Sequence, residues 1–92
     1  MIKKKTKLFF IEWVDSYDTD ATWEFIKNLN PPKHLLCYSV GWILSENKDG
    51  ITIAPHISDV NDKKTLGACS GHITIPKVAI IKRIELKFNE GK

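Results

Sequence analysis

The stretch HLLCYSVGWILSENKDGITIAPHI, residues 34–57, decides how this chain folds. Residues 34–46 are long enough for one bent strand. Successive side chains of a strand alternate, so Tyr38, Val40, Trp42 and Leu44 share one face. Cys37, Ser39, Gly41, Ile43 and Ser45 share the other. Gly41 inside the run predicts a bulge or a close approach by another backbone. Asn47-Lys48-Asp49-Gly50 then reads as a hairpin turn, with Asp-Gly supplying positive-φ residues. Residues 51–57 form the return strand, with Ile51, Ile53 and Ile57 one way and Thr52, Ala54 and His56 the other. Pro55 has no N–H to give to a ladder, so the strand ends, bulges or lies at an edge there.

Upstream, residues 7–14 (KLFFIEWV) are aromatic-rich and read as the first strand. Phe9, Ile11 and Trp13 fall on one face, and Leu8, Phe10, Glu12 and Val14 on the other. A strand apolar on both faces has to be covered twice. Residues 15–20 read as a turn, with Asp20 at a helix N-cap position. Ala21, Phe25 and Leu29 recur at helical spacing, with Ile26 alongside, and Pro31-Pro32 ends the run. So short a helix cannot stand alone in water and is expected to dock on the first strand. Downstream, residues 58–69 read as a polar loop and GHITIP, residues 71–76, as a short strand. Pro76-Lys77-Val78 makes a tight turn, and residues 80–88 make the last strand.

The expected fold is mainly β. It is a small five-stranded, partly open SH3/Sm-like β-barrel with one short α-helix between the first two strands. Residues 1–92 form one domain, with a basic tail at 1–6 and a second tail at 89–92. A chain of this length buries only about 60–65% of its unfolded surface. An oligomer interface or a bound ligand is therefore expected to add stability.

Hydrophobic residues at 42% and charged residues at 27% exclude a disordered chain. No apolar run approaches the roughly 20 residues of a membrane span. Lys3-Lys4-Lys5 is followed by only Leu8–Ile11 before Glu12, too short for a signal segment. The expected location is the cytoplasm, with Cys37 and Cys69 as reduced thiols. The net charge of +3 is split between basic ends and an acidic stretch (Glu12, Asp15, Asp18, Asp20, Glu24). That pattern does not make a nucleic-acid stripe, although the basic ends keep such binding as a third reading.

If Tyr38, Val40 and Trp42 fill the core with Ile51, Ile53, Ile73 and Ile75, one neutral outer surface remains. It carries Ser39, Gly41, Thr52, Ala54, His56, Ser58, His72 and Thr74. A plain solvated face would show Lys and Glu. This one suits a ligand or a second copy of the chain; its other reading is a polar face under a loop. The candidate ligand-binding residues are Ser39, His56, Ser58, His72 and Thr74, with Asp15 and Ser16 contributing from the strand end. Trp13 and Trp42 read as core, and Trp23 as the less buried side of the helix. His34-Leu35-Leu36-Cys37 and Cys69-Ser70-Gly71-His72 have ligand-like spacing but no paired-cysteine knuckle, and no metal or cofactor is expected. No nucleophile elbow, phosphate loop or metalloprotease motif occurs. His56, Ser58 and Asp59 crowd together no more than chance allows, so the chain does not read as an enzyme.

Four motifs occur in order: Ile11-Glu12-Trp13-Val14-Asp15-Ser16, Ser39-Val40-Gly41-Trp42, Thr52-Ile53-Ala54-Pro55-His56 and Gly71-His72-Ile73-Thr74-Ile75-Pro76. The combination resembles a widespread group of short proteins encoded by phages and prophages, over residues 8–86. The last motif with residues 77–86 resembles the closing strands of Sm-like small barrels. The resemblance implies a protein of the host-cell cytoplasm and a counter-defence role. In that role an oligomeric sponge would sequester a cyclic nucleotide signal of bacterial immunity. The alternative is an interaction module that blocks a host protein or serves in a phage complex.

Overall fold

The computed structural model of the chain describes residues 7–16, 21–59 and 67–89. The basic tail at 1–6, Asp18 and the Asp20 cap, the middle of the 58–69 loop and residues 90–92 lie outside the described residues. Among the described residues seven strands form: β1 Leu8–Asp15, β2 Leu35–Glu46, β3 Gly50–Ala54, β4 His56–Ser58, β5 Ala68–Ser70, β6 Ile73–Pro76 and β7 Ile80–Leu86. Five of them make one sheet in the order β6-β3-β2-β1-β7, and β4 pairs with β5 as a separate ribbon. Every pairing is antiparallel. The sheet is open, with β6 and β7 at its edges.

The register of β1 on β2 decides which face is inside. Phe9 lies opposite Gly41, Ile11 opposite Ser39 and Trp13 opposite Cys37. Each large residue of β1 thus meets a small one on β2, leaving room for the ring or branched chain to lie over its neighbour. Ile11, Ile51, Ile53 and Ile75 form the buried cluster, and Phe9, Trp13, Ile43 and Ile80 pack against it. Fully burying each isoleucine contributes about 1.5–3 kcal/mol.

Gly41 is buried, and a Cβ there would sit 3.1 Å from both the Ala54 carbonyl oxygen and the Ile53 Cβ. That is the close backbone approach predicted at this position. The β2–β3 hairpin turns differently from expectation, because Gly50 is not among the described residues with positive φ. Instead the Asn47 side chain accepts from the N–H groups of Asp49 (2.8 Å) and Gly50 (3.0 Å). The side-chain oxygen performs the work that a mirror-image turn would have done. Pro55 ends β3, as expected of a residue with no N–H, and β4 starts after it. Beyond β6, residues Lys77–Ala79 form a 3₁₀ turn that leads into β7.

Other expectations fail. The α-helix expected between the first two strands does not form among the described residues: residues 21–34 hold only a 3₁₀ turn, at Ile26–Asn28, and are all exposed. Thr22, Trp23, Phe25 and Ile26 are β-branched or aromatic and have weak helix propensity, and nothing docks on them to compensate. The second failure is the face of β2. Tyr38 and Val40 are exposed at 63% and 50%, and Trp42 is half-buried, whereas Ser39 and Gly41 point inward. Ile73, expected in the core, is 40% exposed on the edge strand β6.

Substituting Gly41→Val forces a branched side chain against Ala54 and Ile53. Overpacking of this kind costs about 1–3 kcal/mol. Urea unfolding should show a lower midpoint with an unchanged slope; a loss under about 0.5 kcal/mol would contradict this register.

Candidate functional site

The seven candidate residues divide into three places. Ser39 lies on the inner face, half-buried, and its Oγ accepts a 3.0 Å hydrogen bond from Trp13 Nε1. This bond satisfies the indole N–H at the margin of the core and fixes the Trp13 ring over β2. His56 and Ser58 lie exposed on β4, facing Ser70 and Ala68 of β5. His72 follows that ribbon, with Nδ1 4.0 Å from Cys69 Sγ. Gly71, between ribbon and sheet, adopts φ 73°, a conformation that favours glycine, and its Hα side faces the Pro55 ring.

An open cleft of about 220 Å³ sits where these pieces meet, lined by Ser39, Val40, Ile53, Pro55, Gly71 and Ile73. His56 and His72 immediately follow two of its lining residues, Pro55 and Gly71. Of the candidate residues Ser39 alone lines the cleft, while His56 and His72 are exposed. Whole small-molecule pockets run to about 300–1,000 Å³. This cleft is the size of one ring system with its substituents.

Thr74 goes elsewhere. It pairs with Thr52 on the opposite face of the sheet from Ser39, and the two hydroxyl oxygens lie 2.8 Å apart. Both line a second open pocket of about 280 Å³ with Glu46, Asn47 and Asp49. Asp15 and Ser16 are exposed at the far end of β1, where Asp15 Oδ1 accepts from the Ser16 N–H at 2.8 Å. Asp15 is four residues beyond Ile11, the partner of Ser39, or about 13 Å along the strand. The single neutral surface expected from the alternation is thus not assembled. The Pro55 break, the bulge between Ile43 and Ser45 and the inward turn of Ser39 each change its geometry.

One constellation was not legible in the sequence. Glu46, at the end of β2, receives Arg83 of β7 through Nη1 at 2.9 Å and Nη2 at 3.2 Å, and Lys77 Nζ at 2.9 Å. The Arg83 guanidinium also lies 4.7 Å from the centre of the Phe9 ring. No local spacing links residues 46, 77 and 83; only the strand order brings them together. Hydrogen bonds from Arg83 and then Lys77 lower the Glu46 pKa to about 2 from an ordinary 4.5. Among the described residues, no group of three or more His, Cys, Asp and Glu side chains is placed to hold a metal ion. No described helix is long and apolar enough to cross a membrane.

Comparison of the chain with protein families, curated proteins and solved structures finds no match.

The depressed Glu46 pKa has a definite sign. Its stabilisation is fully present above the ordinary value of 4.5 and is lost as pH falls through about 2. All three side chains are about a third exposed, so solvent reduces the contribution to about 1 kcal/mol or less. Glu46→Gln should lower Tm at neutral pH and flatten the part of the acid slope between those values. An unchanged Tm–pH profile would show that the ion pairs contribute nothing.

Proposed function

We propose that this chain is a non-enzymatic binding protein that sequesters a nucleotide-type small molecule, with the cleft at Ser39, His56 and His72 as its recognition point. The observation that carries the reading is the cleft's chemistry. Its lining is uncharged, its walls are Pro55, Ile53 and Ile73, and Ser39 supplies a hydroxyl; His56 and His72, exposed and next in sequence to Pro55 and Gly71, are the imidazoles proposed to reach it. Apolar walls with a few convergent hydrogen-bonding groups suit a flat heterocycle presenting polar edges. Ser58 extends that polar edge along β4, and Ser70 faces His56 across the ribbon. Asp15, Ser16 and Thr74 are too dispersed for the same cleft and would take part only through another copy of the chain.

The fold class behind this reading is a partly open SH3/Sm-like barrel. The strand order β6-β3-β2-β1-β7 and the 3₁₀ turn before the last strand support it. The four ordered motifs support an origin in phages, the host cytoplasm as the place of action and a counter-defence role. A second reading, an interaction module that inhibits a host protein, is favoured by a different observation: the apolar face formed by Tyr38, Val40 and Ile84 is open.

Thermal melts with a panel of cyclic di- and trinucleotides test the first reading. A ligand at 100 times its Kd adds about 2.7 kcal/mol, a rise in Tm of roughly 10–20 °C for a domain this small. His56→Ala with His72→Ala should remove the shift while leaving the unliganded Tm within a few degrees. No shift with any member of the panel would defeat the sequestration reading.

A further inference from the structure

Among the described residues, nothing lies across one face of the sheet. Leu8 and Phe10 of β1 point away from the core, and by register Val40 and Trp42 of β2 and Ile84 and Leu86 of β7 share their side. Ring contacts make the face continuous: Phe10 stacks on Tyr38 at 6.0 Å, and Trp42 meets Phe88 at 5.8 Å. The chain carries a second uncovered apolar element. Between β1 and β2, residues 21–34 are exposed and form only the 3₁₀ turn at Ile26–Asn28, a stretch of about the 12–15 residues beyond which a loop without its own helix or strand is uncommon and usually functional. Within it Trp23 is fully exposed, and Phe25 and Ile26 are exposed at 75% and 85%.

We infer that this outer face and the loop at residues 21–30 are the two halves of a homodimer interface, each copy's loop lying across the other copy's face. Three observations select a second copy as the occupant. The first is area. Three strands about 4.8 Å apart, each about seven residues long at 3.3 Å per residue, give a face of roughly 330 Å² in plan. A stable interface takes about 800 Å² from each partner. The face alone falls short; each copy's face together with its own loop makes up the difference.

The second is permanence. Fifteen large hydrophobic side chains are exposed among the described residues, against four buried isoleucines. So thin a core needs its cover whenever the chain is folded, and small domains commonly obtain it by oligomerising. A copy made with the chain is always present, which a transient partner is not. The third is charge. By register the outer face carries one acid and one base, Glu12 and Lys82, as cross-strand neighbours. The loop carries one of each as well, Glu24 and Lys27, so the face of one copy and the loop of the other are complementary in charge. The interface lies on the opposite side of the sheet from the inward-facing Ser39, and the inference does not rest on the ligand reading.

Sedimentation equilibrium of the full chain, from low micromolar to millimolar concentration, tests it. The wild type should show twice the chain mass of 10.5 kDa. Trp23→Ser with Phe25→Ser alters side chains that stand clear of their own sheet. That variant should keep its β circular dichroism and raise the dimer dissociation constant at least tenfold. Val40→Glu with Ile84→Glu should abolish the dimer. A wild type that is monomeric throughout, a dissociation constant unchanged in the loop variant, or a dimer that survives both face charges overturns the inference. Loss of the nucleotide-induced melt shift in the His56/His72 variant, with the dimer intact, would separate the two sites.

Discussion

Everything else in this molecule follows from large side chains of β1 lying over small ones of β2. Phe9 over Gly41, Ile11 over Ser39 and Trp13 over Cys37 form the seam around which the inner face is built. Gly41 is the tightest point, because the β3 backbone passes within 3.1 Å of where its Cβ would be. Only a residue without a side chain lets β1 and β3 both approach β2 there. The Trp13 indole, reaching across to Ser39, then ties the polar end of the seam with a directed bond.

That seam has a cost in exposure. A strand shows one set of residues to each side, so turning Ser39 and Gly41 inward turns Tyr38, Val40 and Trp42 outward. The inner face is closed at one end by a side-chain strut rather than by strand pairing. Glu46 on β2 and Arg83 on β7 bridge two strands that β1 separates, and Lys77 anchors the 3₁₀ turn to the same carboxylate. Arg83 meanwhile lays its plane over Phe9, so one guanidinium satisfies a carboxylate and shields an aromatic ring of the seam.

The strands were legible because alternation and turn residues mark them without tertiary information. The five main strands fall where apolar runs bounded by Pro, Gly and Asp put them. Which face of β2 is buried was not legible, because both faces of β1 are apolar and only the cross-strand register chooses between them. Tyr38 and Trp42 are larger than Ser39 and Gly41, and size alone pointed the wrong way. The helix expectation failed for a related reason. Trp23, Phe25, Ile26 and Leu29 do form an apolar cluster, but apolar spacing records a surface that wants burial and does not say in what conformation. The β4–β5 ribbon was also hidden: its strands are three residues each, shorter than any periodicity can announce.

The cations near the seam constrain what the cleft can recognise. Arg83 and Lys77 both serve Glu46, and a phosphate taking Arg83 would have to displace a carboxylate held by two guanidinium nitrogens. On the proposed reading, recognition at the Ser39 cleft therefore works through hydroxyl and imidazole hydrogen bonds and through the apolar walls of Pro55 and Ile73. Such a site reads a base or sugar edge better than a phosphate. On the same proposed reading, about 220 Å³ of space would admit one such unit at a time. A ligand with several nucleotide units would reach beyond one cleft, and its phosphates would have to find cations outside this seam.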